Sequence, residues 1–191
     1  MKSPLMFLYA ASLLGASLFA TECSYEAKEV TVGWEAYKTL KKIGVKGVFD
    51  KIDLETQKES SVTKLLESLK GTIHTASVNS GNAGRDKTLT EEFFKLFVSE
   101  TIQAKIVDVK GDETGGTMVA EMTMNGIAKK VPLQYRIEND KLKVNGYIDM
   151  FDFGLSKALG SINAACYDLH SGKTWNDVAV SMEFELKKSC N

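Results

Sequence analysis

The sequence predicts an all-β protein, an eight-stranded antiparallel up-and-down β-barrel carrying two or three short helices. Three observations predict it. Apolar and polar residues alternate with a period of two through most of eight segments, the pattern of a strand with one buried face. The connectors read as hairpin turns, Asn125-Gly126 most plainly. Eight short strands sharing one apolar face leave exposed edges unless the sheet closes on itself, and a barrel removes those edges. A two-layer sandwich is the competing arrangement.

Taken in order, the chain opens with Met1 and Lys2, then an uncharged apolar run through Ala20. That run has the length of a signal-peptide core plus cleavage region, with Leu18 and Ala20 at the −3 and −1 positions. It falls short of the ~20 apolar residues of a membrane span. Residues 1–20 are therefore expected to be a signal peptide and residues 21–191 a single domain. Thr21 and Glu22 precede Cys23, which does not fit a lipid-attachment signal. The first strand places Val30, Val32, Trp34 and Ala36 on one face. Residues 44–54 and 69–78 are β-rich with less regular alternation, and between them residues 61–69 carry Leu65, Leu66 and Leu69 as a short helix. A polar corner follows, with Asn79, Ser80, Gly81, Asn82 and Gly84. Arg85 and Asp86 are expected to pin it by a charge-assisted hydrogen bond, and Thr88 or Thr90 to cap a helix over residues 90–97.

Residues 101–150 read as a four-stranded meander. Its inward positions are Ile102, Ala104 and Ile106; Met118, Ala120, Met122 and Met124; Val131, Leu133, Tyr135 and Ile137; then Leu142, Val144, Gly146, Ile148 and Met150. Residues 154–170 repeat Leu155, Leu159, Ile162, Cys166 and Leu169 at helical spacing, with a bend or break expected at Gly160. The last strand presents Val178, Val180, Met182, Phe184 and Leu186. The shared face is rich in methionine and aromatic side chains. An eight-stranded barrel is just wide enough to enclose a small ligand, and methionines suit an adaptable apolar lumen.

The 191 residues carry a formal charge of −1. Without Lys2, 23 basic residues face 25 acidic ones, and no basic stripe calls for nucleic acid. Three cysteines in an exported chain allow one disulfide and one thiol. With only His74 and His170 besides, a zinc site is short of ligands. No GxSxG, P-loop or GxGxxG motif occurs. Ser61 and Lys64 match SxxK by spacing, and a solvated helix start explains them better. The adjacent Glu91 and Glu92 serve a helix terminus rather than acid–base work. No enzyme, cofactor or metal is expected.

The stretch SVNSGNAGRDKTLTEEFF resembles the signature segment of the YceI-like proteins, periplasmic proteins holding a polyisoprenoid or related lipid in a lipocalin-like barrel. MTMNGIAKKVPLQY is similar to the family's hairpin, GYIDMFDFGLS to its Asp-Phe-Gly strand end and WNDVAVSMEFEL to its closing strand. These pieces stand in the family's order and, with a looser match at the opening strands, cover most of the mature chain. The sequence departs from the family where histidines are common, with Thr88 and Asn125 in such places, and residues 156–176 form a longer, helical insert beside the cavity.

The resemblance implies periplasmic, non-enzymatic carriage of a long-chain lipid such as an isoprenoid quinone or polyprenol. It implies no stable membrane insertion and leaves a homodimer open. Face parity in a closed barrel gives the expected lining. It comprises Val32, Trp34, Ile102, Met122, Met124, Leu133, Tyr135, Ile148, Met150, Val180, Met182 and Phe184, with Phe93, Phe94 and Phe97 at one end; the family's strand end adds Phe153. Closure would also set the first strand's start beside the last strand's end, which pairs Cys23 with Cys190 and leaves Cys166 free. The alternative is an exported structural or interaction protein whose barrel is simply filled, although Ala36, Ala104, Ala120 and Gly146 leave room inside.

Overall fold

A computed structural model describes residues 22–191; the expected signal peptide lies outside the described residues. Ten strands form one antiparallel sheet that curves into a half-barrel. They are β1 (Cys23–Lys38), β2 (Ile43–Phe49), β3 (Ile52–Glu55), β4 (Lys70–His74), β5 (Val78–Asn79), β6 (Thr101–Gly111), β7 (Gly115–Met124), β8 (Ile127–Glu138), β9 (Lys141–Asp149) and β10 (Thr174–Cys190). Four helices accompany them: α1 (Val62–Ser68), α2 (Ala83–Glu92), α3 (Ser156–Ala165) and α4 (Tyr167–His170). The hydrogen-bonded order is β3-β4-β6-β7-β8-β9-β10-β1-β2-β5.

The count differs from the expected eight because two segments bend. Residues 44–54 break at Asp50-Lys51 into β2 and β3, and residues 69–78 break at the 3-10 turn Thr75–Ser77 into β4 and β5. The breaks lie side by side. The Asp50 amide donates to the Ser77 carbonyl at 3.0 Å, and the His74 amide to the Lys51 carbonyl at 3.2 Å. Each bend carries the chain from one end of the strand order to the other, since β3–β4 and β2–β5 are the two outer pairs.

The meander β6 to β9 is as the turn residues require. Asn125 (φ 53°) and Gly126 (φ 76°) form a hairpin turn in left-handed conformation, as do Asn139 and Asp140 (φ 53° and 60°). β10 then pairs with β9 on one side and β1 on the other, in register from Cys23 opposite Cys190 to Lys38 opposite Thr174 with two shifts. Cys23 and Cys190 form a disulfide, and Cys166 is free.

One half of the concave face is solid. α1 starts at Ser61, whose hydroxyl accepts from the Lys64 amide, and drives Leu65 and Leu66, both 0% exposed, into the sheet. Around them pack Tyr25, Met118, Tyr135, Leu142 and Phe184.

The polar corner folds differently from expectation. α2 begins at Ala83, not at Thr88 or Thr90, because Asn82 is the cap: its Oδ1 accepts from the Arg85 amide at 2.9 Å. Asp86 accepts from the amide and hydroxyl of Ser80 at 2.8 and 2.5 Å, so Ser80 rather than Arg85 pins the corner. The helix ends before the aromatic segment, and Phe94–Leu96 is a 3-10 turn. In α3 the expected break at Gly160 is displaced to Cys166. A Cβ at Gly160 would meet open space, and burial of Leu155, Ala158 and Ile162 outweighs the ~1 kcal/mol that glycine costs a helix.

Candidate functional site

The other half of the concave face is open. There the sheet, α2, α3 and α4 enclose a cavity of about 550 Å³. Ten of the expected residues line it. Val32 and Trp34 come from β1, Ile102 from β6, Met122 and Met124 from β7, Ile148 from β9, Met150 from the 3-10 turn after it, and Val180 from β10. Phe93 and Phe94 enter from the end of α2.

Six expected residues do not line it. Phe184, Tyr135 and Leu133 point to the same side of the sheet but lie in the solid half, at 1%, 1% and 9% exposure. The Tyr135 hydroxyl donates to the Asp112 carbonyl at 3.0 Å, at the far hairpin. Leu133 fills the space expected to be free at Gly146, where a Cβ would sit 2.3 Å from its Cδ2. Met182 is half-buried against the same core. Phe153 is buried beneath the strand end, its carbonyl accepting from Asn125 Nδ2 at 3.0 Å. Phe97 stands behind Phe93 and Phe94, with edge-to-face centroid distances of 5.1 and 5.3 Å, and holds them rather than facing the cavity.

Helices α3 and α4 supply the wall that strand parity could not give. Leu159, Ile162, Cys166 and Leu169 all face the cavity. Their helical spacing was visible in the sequence as an apolar stripe; what it covered was not. Ser161 Oγ donates to Glu92 Oε2 at 2.9 Å and ties α3 to α2. Polar side chains sit mainly on the α2 and α4 side, where Asn82, Arg85, Thr88, His170 and Thr174 contribute. Asn125 is a brace: its Oδ1 accepts from the Val98 amide and its Nδ2 donates to the Phe153 carbonyl.

Burial pushes the Cys166 thiol up from its ordinary value, so it stays protonated at neutral pH. Burial, and secondarily Lys38, pulls His170 down; its Nδ1 is 2.7 Å from Thr174 Oγ1. Because the unfolded chain takes up this proton first, stability should fall as pH drops through about 6.5. Thermal melts on either side of that pH should show the fall shrinking in His170→Gln; an unchanged slope would remove His170 as its source. The indole Nε1 of Trp34 is buried in the wall without a hydrogen-bond partner among the described residues. The arrangement can hold an apolar molecule, and the Trp34 N–H is a donor left free in its wall. Among the described residues no cluster of three metal-ligating side chains forms.

Among solved structures, the chain is similar to a polyisoprenoid binding domain from Saccharophagus degradans implicated in plant cell wall breakdown. That match has TM-score 0.56 and 14% identity over 87% of this chain and 99% of that one. Burkholderia cenocepacia BcnA matches with TM-score 0.58 and 14% identity over 83% and 96%. At these identities the likeness is one of fold. In sequence, a UPF0312 protein of Serratia proteamaculans is 37% identical over 101 residues, covering 47% of this chain and 52% of that protein. A UPF0312 protein of Yersinia enterocolitica is 34% identical over 100 residues, covering 46% and 52%. The chain thus spans about half the length of the curated relatives it matches. The model of the YceI-like domain matches residues 24–186, nearly everything the structure describes, and the chain belongs to the YceI-like domain family.

Proposed function

We propose that the protein binds and carries a long-chain apolar lipid, of the isoprenoid quinone or polyprenol kind, in the periplasm and without chemistry. The observation that carries this reading is the cavity: about 550 Å³, walled by methionine, aliphatic and aromatic side chains, and covered by helices. That volume lies inside the range of about 300–1,000 Å³ typical of small-molecule sites. Each methylene buried in it contributes about 0.8 kcal/mol. The unpartnered Trp34 N–H favours a ligand with an acceptor oxygen, because a buried donor left unmade costs about 1–3 kcal/mol. The fold's likeness to a polyisoprenoid binding domain supports the same class of ligand. In this reading the bent pairs β2–β3 and β4–β5 act as two continuous strands that close an eight-stranded barrel, and family membership supports export.

Native mass spectrometry with lipid extraction, on protein purified from its own host, tests the proposal. A stoichiometric long-chain lipid is expected, and adding an isoprenoid quinone to stripped protein should quench Trp34 emission in a Trp175→Phe background. Protein that is repeatedly empty and takes up neither quinone nor polyprenol would instead mark a filled structural barrel.

A further inference from the structure

The hairpin between β1 and β2 is unusual for a soluble surface. Its tip, Thr39 to Lys42, holds Leu40 outward at 79% exposure, and Ile43 just beyond is 50% exposed. On α4, Leu169, which also lines the cavity, and Tyr167 are 74% and 61% exposed. The tip is fixed rather than loose. The Thr39 amide donates to the Lys173 carbonyl at 2.9 Å, and Trp175 Nε1 donates to the Thr39 carbonyl at 2.8 Å. A rigid mount that keeps a leucine in water gains nothing from it in the isolated protein.

The surroundings match one kind of partner. Lys38, Lys41, Lys42 and Lys173 stand along β1, the tip and the start of β10, against Asp168 and Asp177. Lys42 pairs with Asp177 at 2.6 Å while lying 4.9 Å from the Tyr37 ring and 5.1 Å from the Trp175 ring; Lys173 lies 4.6 Å from the same indole. Protruding aliphatic residues, half-buried Trp and Tyr, and lysines with long apolar stems are the composition that settles at a membrane–water interface. Tyr37, Lys38 and Trp175 also line the cavity, so the patch and the cavity share a wall. Among the described residues no helix is long and apolar enough to cross a membrane.

We infer that the β1–β2 tip, with Lys173, Trp175 and the exposed face of α4, docks the protein onto an anionic lipid bilayer and brings the cavity to the membrane surface. The inference rests on the lipid-carrier reading and names where that cargo is exchanged. Leu40 supplies the inserting side chain, and the unpaired lysines supply attraction to phosphate headgroups.

Flotation with vesicles of phosphatidylcholine alone, or with added phosphatidylglycerol, tests it. Wild-type protein should float with the anionic vesicles and be released by salt. Leu40→Glu and Lys41→Glu should each weaken flotation by about tenfold or more, with melting temperature unchanged because both side chains are exposed. Wild-type protein that ignores anionic vesicles, or variants that float like wild type, would overturn the docking surface. Loading of polyprenol from detergent, followed by native mass spectrometry, separates the two readings. Intact loading with lost flotation in the variants supports docking. Flotation that persists in a protein unable to load sinks the carrier reading and leaves the docking surface standing.

Discussion

Phe184→Ala is expected to lower stability by about 3–5 kcal/mol, whereas Met122→Ala should cost about 1–2 kcal/mol. Both positions are inward-facing on strands of one sheet, β10 and β7, and both are large apolar side chains. The difference comes from what lies opposite. Phe184 is 1% exposed and belongs to the solid core that includes Leu65 and Leu66 of α1, so truncation leaves a void that the plug cannot fill. Met122 is only partly buried and borders a cavity that already exists, so shortening it enlarges that cavity and loses fewer contacts. Urea denaturation of the two variants compares them directly. Equal losses would mean that the two halves of the concave face are equally filled, and the division between plug and lumen would fall.

Removing the disulfide should have a comparable effect through the other side of the equilibrium. Cys23 and Cys190 are 167 residues apart, so the bond closes almost the whole described chain into one loop in the unfolded state. A loop of that size is worth about 3–5 kcal/mol in lost chain entropy. For a domain of this length that corresponds to a fall in melting temperature of about 10 °C. The double variant Cys23→Ser with Cys190→Ser avoids leaving a reactive thiol at the ends. A melting temperature within a degree or two of wild type would show that the ladder of β1 and β10 alone restrains the termini.

Much of the fold was legible in the sequence because side-chain parity in a strand is a local property. Trp34, Met122, Ile148 and Val180 face inward as alternation requires. Depth along a strand is not local. Val180 and Phe184 lie four residues apart on one face of β10, yet one lines the cavity and the other lies in the core, because α1 reaches only the far half. Nothing in the alternation of β10 encodes that reach. The bends at Asp50-Lys51 and Thr75–Ser77 were foreshadowed by irregular alternation in those two segments, but their alignment is a pairing property. At the polar corner several residues could cap a helix. Asn82 prevails over Thr88 and Thr90 because Gly81 takes a left-handed turn (φ 72°) immediately before it. The cover formed by α3 and α4 could be read as helix from its stripe, although its place over the cavity depends on packing against α2 and the sheet.

The pairing of β1 with β10 also sets an order of events in time. β6 to β9 are joined by tight turns and need only neighbouring residues to form, whereas β1 waits for the last strand to be available. As the chain emerges from its N-terminus, β1 therefore stays without its longest partner until the final residues appear. Pulse-labelled hydrogen exchange should show protection in β7 and β8 before β1, and simultaneous protection would contradict this order. The same strand that carries Trp34 into the cavity is the one completed last, so that wall of the cavity is finished only when the last strand has arrived.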